Sequence, residues 1–240
     1  MAPELIDRIA LRARVTRLES AAAHTRLIEL AGPALERLAW TPGQQVRVMV
    51  SGPLRGLTDL VRSSLRTYSI STYRGDRIEL CVYEHGDGPG ARWAAGLQIG
   101  DEVSLRRPEG RLVLTPAAPH HLFVGEETAT VAFGAMLRAL PVGAEAHAVL
   151  EARGPADRLE LPGTTQVTWI DRGAAPAVDP ERLVAALRAA TLPDQPGAAY
   201  VAGEARTCQA VRSHLVRERG WPRRAVVIKP FWAPGKRGLE

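Results

Sequence analysis

Short runs in which apolar and polar side chains alternate fill the first half of the chain. In residues 9–18, apolar side chains alternate with mostly basic ones, and this period of two predicts a strand with one face in water. Glycine and proline separate further strands, predicted at residues 25–30, 44–50, 65–70, 76–83 and 102–106, and one short helix begins near residue 91. Many short strands with such turns favour an antiparallel β-barrel.

The pattern changes beyond a segment that contains Pro116 and Pro119, which disfavours both a helix and a central strand. Strands and helices then alternate, with strands predicted at 121–125, 146–151, 166–170, 199–202 and 225–229 and helices at 129–140, 180–190 and 204–219. This alternation implies a doubly wound parallel sheet. We therefore predict a two-domain β + α/β protein, with an antiparallel β-barrel over residues 1–115 and a parallel α/β domain over residues 120–240.

Composition and charge narrow the classes of function. The 240 residues carry a net charge of +5, but the basic residues are spread along the chain and only 5% are aromatic, so nucleic acid is not an expected partner. No apolar run has the length of a membrane span, and charges follow Met1 within a few residues, unlike in a signal peptide. We expect a cytoplasmic enzyme that acts on a small molecule, and a monomer.

Metal and redox chemistry by the protein's own side chains is not expected. Cys81 and Cys208 lie in separate predicted elements, which supports neither a disulfide framework nor a cysteine-ligated iron–sulfur cluster. The adjacent His120 and His121 lack two further ligands at a suitable spacing for a structural metal site. Electrons must therefore arrive from outside, most simply as a hydride.

Two segments of the predicted barrel carry the candidate chemistry. On the strand at 65–70, Arg66 and Tyr68 project to one face while Thr67 and Ser69 project to the other. About twenty residues on, a glycine-rich segment leads into a helix start, where free backbone amides favour an anion such as a pyrophosphate. An arginine suits phosphate, a tyrosine packs on a ring or a ribityl chain, and a hydroxyl bonds the edge of a heterocycle. Together they predict a site for a dinucleotide held at both ends.

These segments resemble the flavin-binding signature of the ferredoxin-reductase superfamily and, within it, the siderophore-interacting proteins, which are FAD-containing ferric-siderophore reductases. The matching segments follow the family's order over nearly the whole chain: Arg66-Thr67-Tyr68-Ser69, His85-Gly86, Gly88-Pro89-Gly90-Ala91 with Trp93, Gly125-Glu126-Glu127-Thr128-Ala129, Ala202-Gly203-Glu204 and Phe231-Trp232. The resemblance implies FAD in the barrel and NADPH or NADH in the α/β domain. A hydride would pass to the flavin and onward, as single electrons, to a ferric chelate.

The resemblance also implies which residues hold the cofactors and the substrate. Arg66 would contact phosphate, Tyr68 the ribityl or isoalloxazine region and Ser69 the ring edge, while Trp93 is expected to anchor the short helix. The implied cofactor-binding residues are Arg66, Thr67, Tyr68, Ser69, Val82, Tyr83, His85, Gly86, Gly88, Pro89, Gly90, Ala91, Thr128 and Trp232. Trp232, or its neighbour Phe231, would cover the flavin ring. The implied substrate-binding cations are Arg47, Lys236 and Arg237.

The chain departs from the family where a basic substrate pocket is expected. It has Glu109 and Ala233 where the family commonly has arginine, whereas Arg47 keeps the basic character of its position. Because ferric siderophores are often anionic, two alternatives stay open. One is the same flavin chemistry on a quinone, a free flavin or a specialised-pathway intermediate, and the other is a flavin- or nucleotide-binding protein without turnover.

The choice between NADH and NADPH also stays open. Glu151, at the end of the second predicted strand of the α/β domain, suits the hydroxyls of a ribose. Arg153 and Arg158, a few residues on, suit a 2′-phosphate instead. The sequence therefore predicts a nicotinamide nucleotide without specifying which.

Overall fold

The computed structural model describes residues 10–50, 65–84, 88–162 and 165–236. They form two compact units that divide between Gly110 and Arg111. The proline-containing segment belongs to the second unit, because Leu112 is buried in that unit's core and the backbone N–H of Thr115 donates a hydrogen bond of 2.8 Å to the Tyr200 hydroxyl. No helix in these four ranges is both long and apolar enough to cross a membrane. The extents of the two functional domains stay a prediction.

The first unit is a closed antiparallel barrel with the strand order β1-β2-β5-β4-β3-β6. Its strands are β1 (Leu11–Ala22), β2 (Thr25–Ala31), β3 (Gln45–Met49), β4 (Leu65–Arg74), β5 (Arg77–Tyr83) and β6 (Glu102–Leu105). Helix α1 (Pro89–Gly96) lies between β5 and β6 in the chain. The barrel predicted from the alternating pattern is therefore confirmed.

Alternation along the strands decides which side chains fill the barrel. In the first half of β1 the buried side chains are Leu11, Ala13 and Val15, and the exposed ones between them are Arg12 and Arg14. Buried side chains from all six strands and from α1 form one hydrophobic cluster. Their removal from water is the main force that closes the barrel.

The second unit is a parallel sheet with the strand order β11-β10-β7-β8-β9. Its strands are β7 (His121–Glu126), β8 (Ala146–Ala152), β9 (Gln166–Asp171), β10 (Ala198–Glu204) and β11 (Val226–Trp232), and its helices are α2 (Glu127–Arg138), α3 (Pro180–Ala189) and α4 (Ala205–Ser213). Helix α2 packs on the face that carries Phe123 and Tyr200, while α3 and α4 pack on the face that carries Leu122 and Val124. Helices cover both faces, and the prediction of a doubly wound α/β domain is confirmed.

Three elements end at other residues than the sequence pattern predicts. Strand β1 continues to Ala22 because its second half forms a hairpin with β2. The helix predicted to reach 219 consists of α4 and a π-helical turn, His214–Glu218, and the chain leaves it at Gly220, whose φ of 71° suits glycine. Strand β11 continues to Trp232, which pairs with Glu204 of β10. Trp232 therefore ends a strand, beyond the predicted strand end at 229.

Candidate functional site

Strand β4 and the start of α1 meet at Gly90. A Cβ atom added to Gly90 would lie 2.5 Å from the hydroxyl oxygen of Tyr68 and 3.6 Å from Cγ of Arg66. Arg66 and Tyr68 therefore share the face of β4 that α1 approaches, as their alternation predicts. Only a glycine lets the helix backbone come this close to the two side chains.

Stacking holds the ring of Tyr68. Its centroid lies 5.6 Å from that of Trp93, with an angle of 22° between the two ring planes. Burial raises the pKa of Tyr68 against the opposing effect of the Arg66 charge, so the phenol keeps its proton. Trp93 packs against the barrel core and thereby anchors α1, as expected from the sequence.

The amino end of α1 is open to an anion. Gly88 precedes the helix without a side-chain hydrogen bond to its amides, and a Cβ added to Gly88 would meet nothing within 4 Å. In the described ranges, the other α-helices each begin with a carboxylate that accepts a backbone N–H: Glu126 for α2, Asp179 for α3 and Glu204 for α4. Uncapped amides beside Arg66 suit a pyrophosphate, so the residues present fit the FAD that the sequence predicts.

The other residues predicted to hold FAD differ in how far a ligand can reach them. Thr67 is exposed, Tyr83 is half-buried and Ser69 is buried. The side chain of Val82 belongs to the hydrophobic core of the barrel, so only its backbone is left for a ligand. The glycine-rich segment supplies the rest: Pro89 and Ala91 in the first turn of α1, and His85 and Gly86, which lie outside the described residues.

Arg26 of β2 contacts the far end of α1, and nothing in the sequence pattern singles it out. Its guanidinium donates hydrogen bonds of 2.6 Å to the carbonyl of Ala94 and 3.4 Å to that of Ala95. Its Nε lies 3.2 Å from a carboxylate oxygen of Glu84, the residue that follows β5. The arginine therefore holds both the strand end before the glycine-rich segment and the helix after it.

Arg47, predicted to bind the substrate, is paired with a residue that departs from the family pattern. Its Nε donates a hydrogen bond of 2.6 Å to a carboxylate oxygen of Glu109. Backbone hydrogen bonds of 3.0 and 2.9 Å between Glu109 and Gln45 hold this carboxylate beside β3. Of the other two predicted cations, Lys236 is exposed and Arg237 lies outside the described residues.

At the carboxyl end of β7, Thr128 and Trp232 both bond to one buried carboxylate. Glu126 accepts hydrogen bonds from the backbone N–H and the hydroxyl of Thr128, at 2.8 and 2.5 Å, and from Nε1 of Trp232, at 2.9 Å. Burial raises the pKa of Glu126 and the neighbouring Glu127 raises it further, while these donors lower it. Thr128 is thus engaged in capping α2, although its hydroxyl oxygen can still accept a hydrogen bond.

Ion pairs engage residues considered for the choice between NADH and NADPH. Glu151 is buried at the end of β8, with one oxygen 3.7 Å from Nε of Arg172 and the other 3.5 Å from Nε of Arg182. Burial outweighs both arginines and raises the pKa of Glu151 to about 7. Arg158 donates hydrogen bonds of 2.8 Å to both carboxylate oxygens of Asp171. The choice between the two nucleotides therefore stays open.

Known proteins with related sequences and structures cover most of the chain. A family model described as siderophore-interacting protein matches residues 118–235, and one described as siderophore-interacting FAD-binding domain matches residues 14–112. An uncharacterized protein of Mycobacterium tuberculosis is 34% identical over 209 residues, which are 81% of this chain and 74% of that protein. Ferric vibriobactin reductase ViuB of Vibrio cholerae is 31% identical over 182 residues, 71% of this chain and 65% of that protein. The crystal structure of the siderophore-interacting protein SipS from Aeromonas hydrophila has a TM-score of 0.78 at 26% identity, covering 95% of this chain and 92% of that one.

Proposed function

The chain belongs to the siderophore-interacting protein family, and we propose that it is an NAD(P)H-dependent flavoenzyme that reduces the ferric iron of a siderophore. Its barrel is the family's FAD-binding domain, and a relative is a ferric vibriobactin reductase. The reaction balances when one NAD(P)H and two ferric chelates give NAD(P)⁺, a proton and two ferrous chelates. Ferrous iron binds hard oxygen ligands more weakly than ferric iron, which favours its release.

The observation that carries the proposal is the amino end of α1, which lacks a carboxylate cap and lies against Arg66 and Tyr68. The amides of Gly90 and Ala91 and the guanidinium of Arg66 would hold the pyrophosphate of FAD. Tyr68, which keeps its proton, and Ser69 would bind the remainder of the flavin by ring packing and hydrogen bonding. When bound, FAD supplies the conversion of a two-electron hydride into single electrons.

The carboxyl ends of the parallel strands are the proposed binding region for the nicotinamide nucleotide, as is usual for this architecture. Thr128 offers a hydroxyl oxygen as an acceptor and Trp232 offers an aromatic ring. Glu126 bonds to both side chains and limits their motion. A donor can be oriented by such fixed groups without an acid–base pair in the protein.

The pair of Arg47 and Glu109 bears on the class of substrate. A guanidinium that already has a carboxylate at 2.6 Å attracts a multiply charged anion less than an unpaired cation does. We therefore expect uncharged ferric trihydroxamates to be better acceptors than triply anionic ferric tris-catecholates. The same pair favours, as a second candidate, an uncharged organic acceptor such as a quinone.

Anaerobic absorption spectroscopy of the purified full chain tests the proposal. The protein is expected to show the absorption of oxidised flavin, to lose it on addition of NADPH or NADH, and to regain it on addition of a ferric trihydroxamate. Recovery with a quinone but with no ferric chelate would move the function to the second candidate. A protein that takes up no FAD, or whose flavin responds to neither nucleotide, would contradict the proposal.

A further inference from the structure

Arg26 bridges the two sides of the glycine-rich segment. It lies on β2, opposite Val82 of β5. From there its guanidinium reaches Glu84, just past the end of β5, at 3.2 Å and the carbonyl of Ala94, in the last turn of α1, at 2.6 Å. The side chain is only 32% exposed, so these charged contacts are partly shielded from water and stronger than at an open surface.

Helix α1 needs a partner of this kind at its carboxyl end. It has eight residues, fewer than a helix needs to be stable alone, and its own last turn carries no basic residue. A guanidinium at the last carbonyls satisfies their unpaired oxygens and complements the negative end of the helix dipole. Trp93 fixes the middle of the helix against Tyr68, and Arg26 fixes the end that stacking leaves unattached.

We propose that Arg26 is a positioning residue for the pyrophosphate of FAD. By holding the carboxyl end of α1 on the barrel, it sets where the amides of Gly90 and Ala91 lie relative to Arg66. Its effect is confined to the phosphates, because the flavin ring depends on Tyr68 and on other residues of β4. The inference rests on FAD binding by the parent protein, and a parent that bound no FAD would overturn both.

Two flavins separate positioning from general stability, since FAD carries the pyrophosphate and riboflavin carries no phosphate. Each is titrated into the full chain freed of flavin, and the change in flavin fluorescence gives its affinity. Arg26→Met is expected to bind FAD about tenfold more weakly than the parent, because charge-assisted hydrogen bonds are lost, and riboflavin within about twofold. Arg26→Lys keeps a cation at the helix end without the guanidinium fork, so its FAD affinity is expected to fall only about threefold.

A matched control is Arg12→Met, because Arg12 pairs with Glu102 at 3.0 Å across β1 and β6 of the same barrel. It is expected to bind both flavins as the parent does. The double variant Arg26→Met with Glu84→Gln removes the carboxylate that would be left without its arginine, and it is expected to keep the FAD defect. Restored FAD affinity in the double variant would assign the defect to repulsion by Glu84 and overturn the proposal.

Equal weakening of both flavins by Arg26→Met would also overturn the proposal, since it would show a purely structural role. If Arg26→Met does not fold, Arg26→Lys decides the question by the same comparison. Its melting temperature without flavin is expected to stay close to that of the parent. An FAD affinity equal to that of the parent in this variant would count against positioning.

Discussion

The indole N–H of Trp232 donates a hydrogen bond of 2.9 Å to the buried carboxylate of Glu126. The bond joins the last residue of β11 to the residue that caps α2. Gly203 lies on β10, the strand between β11 and β7, and a Cβ added there would lie 2.6 Å from Glu126. A glycine at this position therefore makes room for the carboxylate that orients Trp232.

Trp232→Phe is expected to destabilise the protein most when Glu126 is ionised. A buried carboxylate that loses a hydrogen-bond donor costs about 1–2 kcal/mol of unfolding free energy. Protonation of Glu126 removes the need for that donor. The loss is therefore present above the raised pKa of Glu126 and shrinks as the pH falls through it. Denaturant titrations at about pH 8 and about pH 5 measure the difference.

Trp169→Phe is the control for this prediction. The Trp169 ring lies under the guanidinium of Arg158, 5.4 Å from its centroid, so its loss removes a ring contact. We expect no comparable pH dependence. A Trp232→Phe deficit of the same size at both pH values would show that the ionised carboxylate is not what the indole stabilises.

Gly90→Ala is expected to weaken FAD binding at least about tenfold, because the new methyl group would lie 2.5 Å from the Tyr68 hydroxyl oxygen and push α1 away from β4. Adding Tyr68→Phe removes that oxygen. The nearest remaining atoms, Cγ of Arg66 and Cζ of residue 68, then lie at ordinary contact distances of 3.6 and 3.7 Å. The double variant is therefore expected to recover most of the affinity, as measured by flavin fluorescence.

Gly96→Ala tests whether any added methyl group on α1 has this effect. A Cβ at Gly96, the last residue of the helix, would meet nothing within 4 Å. FAD affinity equal to that of the parent is expected. Failure of Tyr68→Phe to rescue Gly90→Ala would mean that the contact with the hydroxyl does not set the position of the helix.

The fold follows from periodicity because burial on one or both faces leaves a direct trace in the sequence. The alternation of Arg66 and Tyr68 likewise predicts that they share a face. Contacts between strands that are distant in the chain leave no such trace. Arg26 meets α1, and Glu109 meets Arg47, only because of the strand order of the barrel, which alternation does not specify.

Glu109→Gln is expected to improve binding of anionic ferric chelates. The substitution leaves more of the Arg47 charge uncompensated, and the attraction to a trianion at contact distance rises accordingly. We expect the KM for a ferric tris-catecholate to fall about fivefold at physiological salt and the KM for an uncharged trihydroxamate to change less than about twofold. Steady-state reduction of each chelate, with the nucleotide held in excess, gives both values.

Glu102→Gln is the matched control, because Glu102 is about as exposed as Glu109 and pairs with an arginine, Arg12, at 3.0 Å. It is expected to leave both KM values unchanged. Equal effects of Glu109→Gln on the two chelates would place Arg47 outside the substrate site.

His120 is a buried base at the amino end of the parallel sheet. Its ring lies 5.6 Å from that of Trp221 and 6.1 Å from that of His147. Neither ring nitrogen has a hydrogen-bond partner among the described residues. Burial lowers the pKa of His120, and His147 lowers it further, while Glu145 opposes them.

Replacing His120 with leucine is therefore expected to make the protein less sensitive to acid. A base whose pKa is lower in the folded state contributes stability above its unfolded value of 6.5 and loses it as the pH falls below that value. One such proton changes the unfolding free energy by at most about 1.4 kcal/mol per pH unit. Part of the slope will remain in the variant, because burial also lowers the pKa of His121.

The quantity to compare is the difference between variant and parent in denaturant titrations from about pH 7.5 to about pH 5.5. Both proteins carry Glu151, whose raised pKa of about 7 makes stability fall as the pH rises, so its opposite contribution cancels in the difference. His24→Asn, in the turn between β1 and β2, should leave the slope unchanged. A slope in His120→Leu as steep as that of the parent would show that protonation of His120 does not limit stability in acid.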